Sequence, residues 1–436
     1  MPDKLIVTGG RRLHGEIAVS GAKNSVLKLM AASLLTPQPV HLTNVPQLSD
    51  VNVMADVLRH LGCRVTQAGA EMWIQADSIT CNEAPYELVS RMRASFNVLG
   101  PLLGRFGEAR VSLPGGCSIG KRGIDLHVMG LQALGADVEI VHGYVEAKAS
   151  QLRGSEIVLD IPSVGATENI MVSAVLADGA TVIANAAQEP EIIDLANFLN
   201  TLGADVSGAG TSRIVIQGVS RASLRGGSYT VVPDRIEAMT YLMAAAGAQG
   251  DVTLHRVNPA HMQTEIYKLV EMGAEIETPT PNSVRILATR RLMAQNIVTL
   301  PYPGFPTDLQ APMMALLTIA DGVGVIRETI YENRFRQVGN LKRMGAQIEQ
   351  DGNVAIVTGA PFLSGAQVRA SDLRAGAALV IAALHARGVS EIEGLEHLDR
   401  GYETLDAKLQ ALGADIARVT VEDDAASSQP MENRAV

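Results

Sequence analysis

In Leu113-Pro114-Gly115-Gly116-Cys117-Ser118-Ile119-Gly120-Lys121-Arg122 a thiol sits among glycines and beside two cations. Glycines permit an exposed, mobile loop, and Lys121 and Arg122 would favour a thiolate at Cys117 or bind an anion beside it. Cysteines are more often small buried hydrophobes. Cys63 suits that role, because it takes the alanine place of a Leu-Gly-Ala phrase repeated along the chain, and Cys117 does not. The loop also nearly spells a P-loop, with Gly115 and Gly120-Lys121 at GxxxxGK spacing, but Arg122 stands where a Ser or Thr hydroxyl would hold magnesium. Asp308, in Pro306-Thr307-Asp308-Leu309-Gln310, precedes an apolar helix and reads by itself as an N-cap, a role that can coexist with catalysis. Lys23-Asn24, Arg93 and Arg400 read singly as solvated polar residues. Their positions on the surrounding elements give them more weight.

Those elements repeat. A phrase ending in Leu-Gly-Ala or a close variant recurs at Gly62, Gly135, Gly203, Gly273, Gly345 and Gly413, about every 70 residues, longer than common solenoid periods. Each copy closes an amphipathic helix with glycine where a left-handed C-cap belongs, and an extended segment follows. Upstream of each lies a helix apolar nearly all round, such as Met239 to Ala246 or Ala375 to Leu384, which must be buried. A β-rich stretch such as Thr181-Val182-Ile183 separates the two helices. Six βαβαββ-type units divide naturally into two groups of three. If the three buried helices of a group lie parallel, their N-termini emerge at one positive end that favours anions. Polar residues mark these starts: Lys23-Asn24, Arg91 and Arg93, Thr167-Glu168-Asn169, Asp234-Arg235, Thr307-Asp308 and Asp372-Leu373-Arg374. The second helices open similarly, with Arg122 and Asp125, Asn333-Arg334 and Asp399-Arg400. A cleft between two such faces would receive a compact polyanion, and its facing cations would repel one another while it is empty.

The whole chain agrees with this reading. Its 436 residues exceed what one core sustains, and 47% apolar with 19% charged residues describes a globular protein. A net charge of -10 argues against a nucleic-acid surface. No apolar run reaches ~18 residues and Met1 to Val7 is not a secretory signal, so the expectation is a cytoplasmic protein with no membrane contact. Cys63, Cys81 and Cys117 lack CxxC spacing and the nine histidines contain no HExxH, so no disulfide framework or zinc site is expected. Residues 421–436 read as a disordered acidic tail.

At Gly21-Ala22-Lys23-Asn24, Met92-Arg93-Ala94-Ser95, Pro114-Gly115-Gly116-Cys117, Asp308 and Asp399-Arg400-Gly401-Tyr402 the chain resembles the UDP-N-acetylglucosamine enolpyruvyl transferases of bacterial cell-wall synthesis. The resemblance runs from residue 3 to about 420 and includes Ser163-Val164-Gly165-Ala166-Thr167, Pro233 to Glu237, Glu332-Asn333-Arg334-Phe335 and Asp372-Leu373-Arg374. It implies an α/β fold of two inside-out, barrel-like domains, each of three units around buried parallel helices. One would span 23–230 and carry the catalytic loop 113–122; the other would join 1–22 to 231–420. It also implies the roles. Lys23, Arg122 and Arg400 would hold the phosphate and carboxylate of phosphoenolpyruvate, with Asn24 orienting them. Cys117 would be the general acid, and Asp308 would take or shuttle the proton of the acceptor hydroxyl. Arg334 and Arg374 would complete the cationic lining. Arg93, Arg122, Gly123, Ile124, Asp125, Leu126, Ser163, Val164, Gly165 and Ile330 would contact UDP-N-acetylglucosamine. No metal, organic cofactor or protein partner is implied.

The related shikimate-pathway branch has Gly-Ser-Lys-Ser where this chain has Gly21-Ala22-Lys23-Asn24, and it lacks the cysteine loop. Two departures from the cell-wall branch fall in the acceptor region: Ile161-Pro162 replaces a frequent lysine, and Gly123 a usual proline. Two acceptors therefore stand open, UDP-N-acetylglucosamine and another uridine nucleotide or nucleotide sugar. A non-catalytic repeat scaffold is disfavoured, because the distinctive residues gather at helix starts and in one glycine loop rather than on solvent faces.

Overall fold

The structure, a computed structural model, describes residues 3–113 and 123–420. Cys117, Lys121, Arg122 and the tail 421–436 lie outside the described residues. The repeating unit is plain in the stretch from 156 to 217. A buried helix Val164–Ala174 leads to the strand Ala180–Ala184, then the amphipathic helix Pro190–Thr201, then the hairpin Asp205–Ser207 and Arg213–Gln217. Glu156–Val158 runs parallel to Ala180–Ala184 and the hairpin antiparallel to it, giving a four-stranded sheet. Six such sheets of four strands occur among the described residues.

The glycine of each repeated phrase does what its position requires. Gly62, Gly135, Gly203, Gly273, Gly345 and Gly413 all have φ between 87° and 105°, where a side chain would be strained. The chain can then turn from the outer helix directly into the hairpin. The inner helices, with no polar stripe, are engulfed: every residue from Arg374 to Leu384 is buried, as is every residue from Arg235 to Ala246. They pack into two separate apolar clusters. One gathers residues from Val26 to Val231, the other residues Leu5 to Val19 with Ile236 to Ile416.

Both sets of sheets are completed from a distance. Gly227–Thr230 pairs in parallel with Val40–Thr43, and Asp3–Thr8 lies between Val389–Glu393 and Asp415–Thr420. The chain crosses between the clusters twice, side by side: the Ala22 N–H donates to the Val232 carbonyl at 2.7 Å, and the Asp234 N–H to the Ser20 carbonyl at 2.9 Å. A charged network is buried there, with Arg235 held by Glu191 at 3.1 Å and Glu265 at 3.5 Å.

Sheet and helix approach so closely that some positions admit no side chain at all. A Cβ on Gly218 would overlap the Ala177 carbonyl oxygen, and one on Gly359, the corresponding place in another unit, would overlap that of Ala320. Gly218→Ala should therefore force the backbone apart and lower the melting temperature by about 5 °C, the scale of ~2 kcal/mol in a large domain, without changing ligand affinity. Differential scanning calorimetry beside a binding titration checks both halves of that statement.

Candidate active site

The starts of the inner helices meet in a cleft between the two clusters. On one side, Lys28 Nζ reaches Glu168 at 3.1 Å and the Asn97 amide donates to the same carboxylate at 3.0 Å, tying three helical segments together. Glu168 is fully buried, and burial raises its pKa against the pull of Lys28. Lys23 opens the helix Lys23–Ala32; its N–H donates to Asp234 Oδ2 at 3.0 Å and its ammonium lies 2.8 Å from Asp50. Asp234 also caps the opposite helix, accepting from the N–H groups of Ile236 and Glu237.

On the other side Asp308 is not the N-cap its sequence position suggests. It lies in a short 3-10 turn, Thr307–Leu309, that makes no side-chain cap bond, because its carboxylate is already engaged. Oδ1 accepts from Arg334 at 2.6 Å, and Oδ2 from Arg374 at 2.9 Å and from the Asn24 amide at 3.3 Å. Arg374 extends to the Tyr402 hydroxyl at 3.2 Å, which in turn meets Thr240 at 3.0 Å. Burial opposes ionisation of Asp308, but Arg374, Arg334 and then Lys23 outweigh it and hold its carboxyl well below the usual carboxylate range.

The expected repulsion between facing cations is cancelled by a residue that the sequence does not single out. Asp50, 2% exposed, pairs with Lys23 at 2.8 Å and with Arg400 at 2.9 Å. Its burial would raise its pKa, yet the two cations lower it overall. Because Lys23 and Arg400 belong to opposite halves, this carboxylate joins them. The Ser49 N–H adds a bond to the Asp399 carbonyl at 3.0 Å. As a first-turn acid, Asp50 looks like an ordinary dipole partner, and nothing local marks its distant role.

Of the residues assigned to the acceptor, all but Ile330 belong to the first half of the chain. Arg93 donates to the Gly123 carbonyl at 3.4 Å, Ile124 is buried, and Asp125 and Leu126 open the helix Asp125–Ala133. A Cβ on Gly123 would overlap the Asp125 carboxylate, so the proline usual here requires that side chain to turn away. Ser163 caps the helix begun by Val164 and Gly165, accepting from Ala166 N–H. Gly165 faces His127, whose ring a Cβ would meet at 3.2 Å. Buried against Phe96 and 3.1 Å from the Asn169 amide, His127 is held to a pKa of about 4 by burial and then by Arg93, so it is neutral at pH 7. Its place between Asp125 and the Ser163 turn was not legible. Ile161 stands 63% exposed, and Ile330 sits where its N–H donates to Glu328 at 2.8 Å.

Cys63 is buried and its thiol is pushed up to about 12 by burial, while Cys81 is half-buried. Among the described residues no group of His, Cys, Asp and Glu could hold a metal, and no helix is long and apolar enough to cross a membrane.

Two clusters of three helix-and-sheet units with helix starts facing across a cationic cleft define an enolpyruvyl transferase architecture. The enolpyruvyl transferase NikO from Streptomyces tendae superposes with a TM-score of 0.87 at 27% identity, over 97% of this chain and 100% of that one. The family model of EPSP synthase (3-phosphoshikimate 1-carboxyvinyltransferase) matches residues 7–409, and the chain belongs to that family of carboxyvinyl transferases. Similar relatives carry a narrower name. The UDP-N-acetylglucosamine 1-carboxyvinyltransferase 2 of Carboxydothermus hydrogenoformans is 53% identical over 96% of this chain and 100% of its own length. UDP-N-acetylglucosamine 1-carboxyvinyltransferase 1 of Caldanaerobacter subterraneus is also 53% identical, with the same coverage.

A depressed carboxyl pKa contributes stability above the unfolded value, near 4, that is lost as pH falls through the folded one. Asp308→Asn, which leaves two buried guanidinium groups without their carboxylate, should cost about 3 kcal/mol at pH 7. The deficit should hold down to about pH 4 and shrink only below it. Urea denaturation of both proteins from pH 7 to pH 3 measures this.

Proposed function

We propose that the chain transfers the enolpyruvyl group of phosphoenolpyruvate to the 3-hydroxyl of UDP-N-acetylglucosamine with release of phosphate, the first committed step of peptidoglycan synthesis, in the cytoplasm. The observation that carries this reading is the convergence of Lys23, Arg400, Arg334 and Arg374 on one cleft, around Asp50 and Asp308. A substrate with a phosphate and a carboxylate on adjacent atoms needs such a set, and the family resemblance implies that the donor would bind there. Residues 23–230 and 1–22 with 231–420 serve as the two domains facing that donor.

The chemistry then follows from the charges. Cys117 gives its proton to the methylene carbon of phosphoenolpyruvate while the acceptor oxygen bonds to the central carbon and its proton passes towards Asp308. Phosphate leaves as the new methyl group gives up a proton, which resets the Cys117 thiolate to a thiol and restores the double bond. Held ionised by two arginines, Asp308 is a weak base but a permanent hydrogen-bond acceptor, suited to aligning the hydroxyl and relaying its proton. Lys23, Arg122 and Arg400 bind the departing phosphate, with Asn24 fixing the donor's orientation. Gly123 to Leu126, Arg93, Ser163 to Gly165 and Ile330 hold the nucleotide sugar.

The test follows phosphate release from phosphoenolpyruvate with UDP-N-acetylglucosamine. Turnover with UMP or another nucleotide sugar alone would instead favour a paralogue with a different uridine acceptor. Cys117→Ala should abolish turnover with an unchanged melting curve, and Cys63→Ala should leave it intact. Fosfomycin should add its epoxide carbon to Cys117, seen as a mass shift on that tryptic peptide; labelling confined to Cys63 or Cys81 would refute the assignment. Ile161→Lys, at an exposed site just before Ser163, should lower the Michaelis constant for the nucleotide sugar several-fold, about 1 kcal/mol, with the turnover number unchanged.

A further inference from the structure

Glu328 belongs to no motif in the sequence, yet it is 2% exposed and each of its carboxylate oxygens is satisfied. Oε1 accepts from Thr299 Oγ1 at 2.8 Å and from the N–H groups of Ile330 and Tyr331 at 2.8 and 2.9 Å. Oε2 accepts from Thr307 Oγ1 at 3.0 Å. The Asn353 amide fixes the backbone from behind, donating to the Glu328 carbonyl at 3.0 Å. One buried side chain thus ties together the turn that carries Asp308 and the loop that carries Ile330.

The direction of these bonds has a consequence. A carboxylate only accepts, so the Thr307 hydroxyl must spend its single proton on Glu328. Its lone pairs are then left for Arg334, whose Nε donates to Thr307 Oγ1 at 3.1 Å. With Nε anchored there, Nη2 of the same rigid guanidinium reaches Asp308 Oδ1 at 2.6 Å. We infer that Glu328 is a positioning residue for the acceptor, acting through the one-way chain Glu328, Thr307, Arg334, Asp308 while its other oxygen fixes the Ile330 loop. This rests on the reading of Asp308 as the group that aligns the acceptor hydroxyl and of Ile330 as an acceptor contact.

The polarity is testable because one isosteric change reverses it. In Glu328→Gln, the amide oxygen must stay at the Ile330 and Tyr331 N–H groups, which would otherwise face an N–H. The NH2 therefore falls on Thr307, turning its hydroxyl from donor to acceptor at that contact and swinging its proton off Glu328 into the positions it shares with Arg334. Thr307→Val removes the middle link outright, and Thr307→Ser keeps it.

The experiment measures kcat/KM for UDP-N-acetylglucosamine in the three single variants, the Glu328→Gln/Thr307→Val double variant, and the wild type at fixed phosphoenolpyruvate. Glu328→Gln and Thr307→Val should each lose about tenfold, and the double variant about tenfold rather than a hundredfold, because both break one chain. Thr307→Ser should stay within about twofold of wild type. Multiplying losses, or a Thr307→Val variant equal to wild type, would overturn the inference. Crystal structures supply a readout independent of turnover: Arg334 should withdraw from Asp308 in Glu328→Gln and in Thr307→Val. A wild type inactive on UDP-N-acetylglucosamine with Arg334 displaced in the variants would sink the acceptor while sustaining the chain; Arg334 unmoved in both would sink the chain whatever the acceptor.

Discussion

Four cations brought to one cleft by inner and outer helix starts would drive that cleft apart, since two unit charges at 4 Å repel by roughly 4 kcal/mol in a partly solvated protein. Two carboxylates reverse the sign. Asp50 lies between Lys23 and Arg400, and Asp308 between Arg334 and Arg374. Each removes the repulsion of a pair and fixes the geometry of both members. Asp50 does so across the junction of the two halves, so cleft geometry and the placing of the halves rest on the same ion pairs. Buried pairs of this kind add little net stability, but breaking one is expensive, which makes them better at specifying an arrangement than at strengthening it.

The scaffold makes those pairs possible by being unyielding. Inner helices without a polar stripe cannot rotate to a better-solvated face, and glycines such as Gly218 and Gly359 let sheet backbone touch helix-end carbonyls with no slack. The helix starts, and the side chains on them, are therefore held to a narrow range of positions. The junction is built differently. Two extended segments cross side by side, and Arg235 sits among Glu191 and Glu265 in a buried polar knot.

Much of this was legible in local pattern. The six phrases predicted six left-handed glycines and six outer helices, and the apolar runs predicted buried inner helices, because capping and periodicity are short-range properties. The motif resemblance identified Lys23, Asn24, Asp308, Arg334, Arg374 and Arg400, and these do meet in one cleft. Asp308 reads locally as a cap, but a cap is decided by neighbours three residues away and the partners of Asp308 are Arg334 and Arg374. Asp50, His127 and Glu328 carried no signal that distinguishes them from any buried or first-turn polar residue.

The sequence by itself determined the unit, its sixfold repetition, the burial of one helix per unit and the family to which the chemistry belongs. The tertiary structure alone decided the pairings: Asp50 with Arg400 at a separation of 350 residues, Asp308 with Arg374 at 66, and Glu328 with Thr307 at 21. Periodicity and capping are set within a few residues of chain, whereas a hydrogen bond or ion pair between distant segments depends on where folding brings them. A charge in the sequence therefore shows that it needs a partner, and only the folded chain shows which.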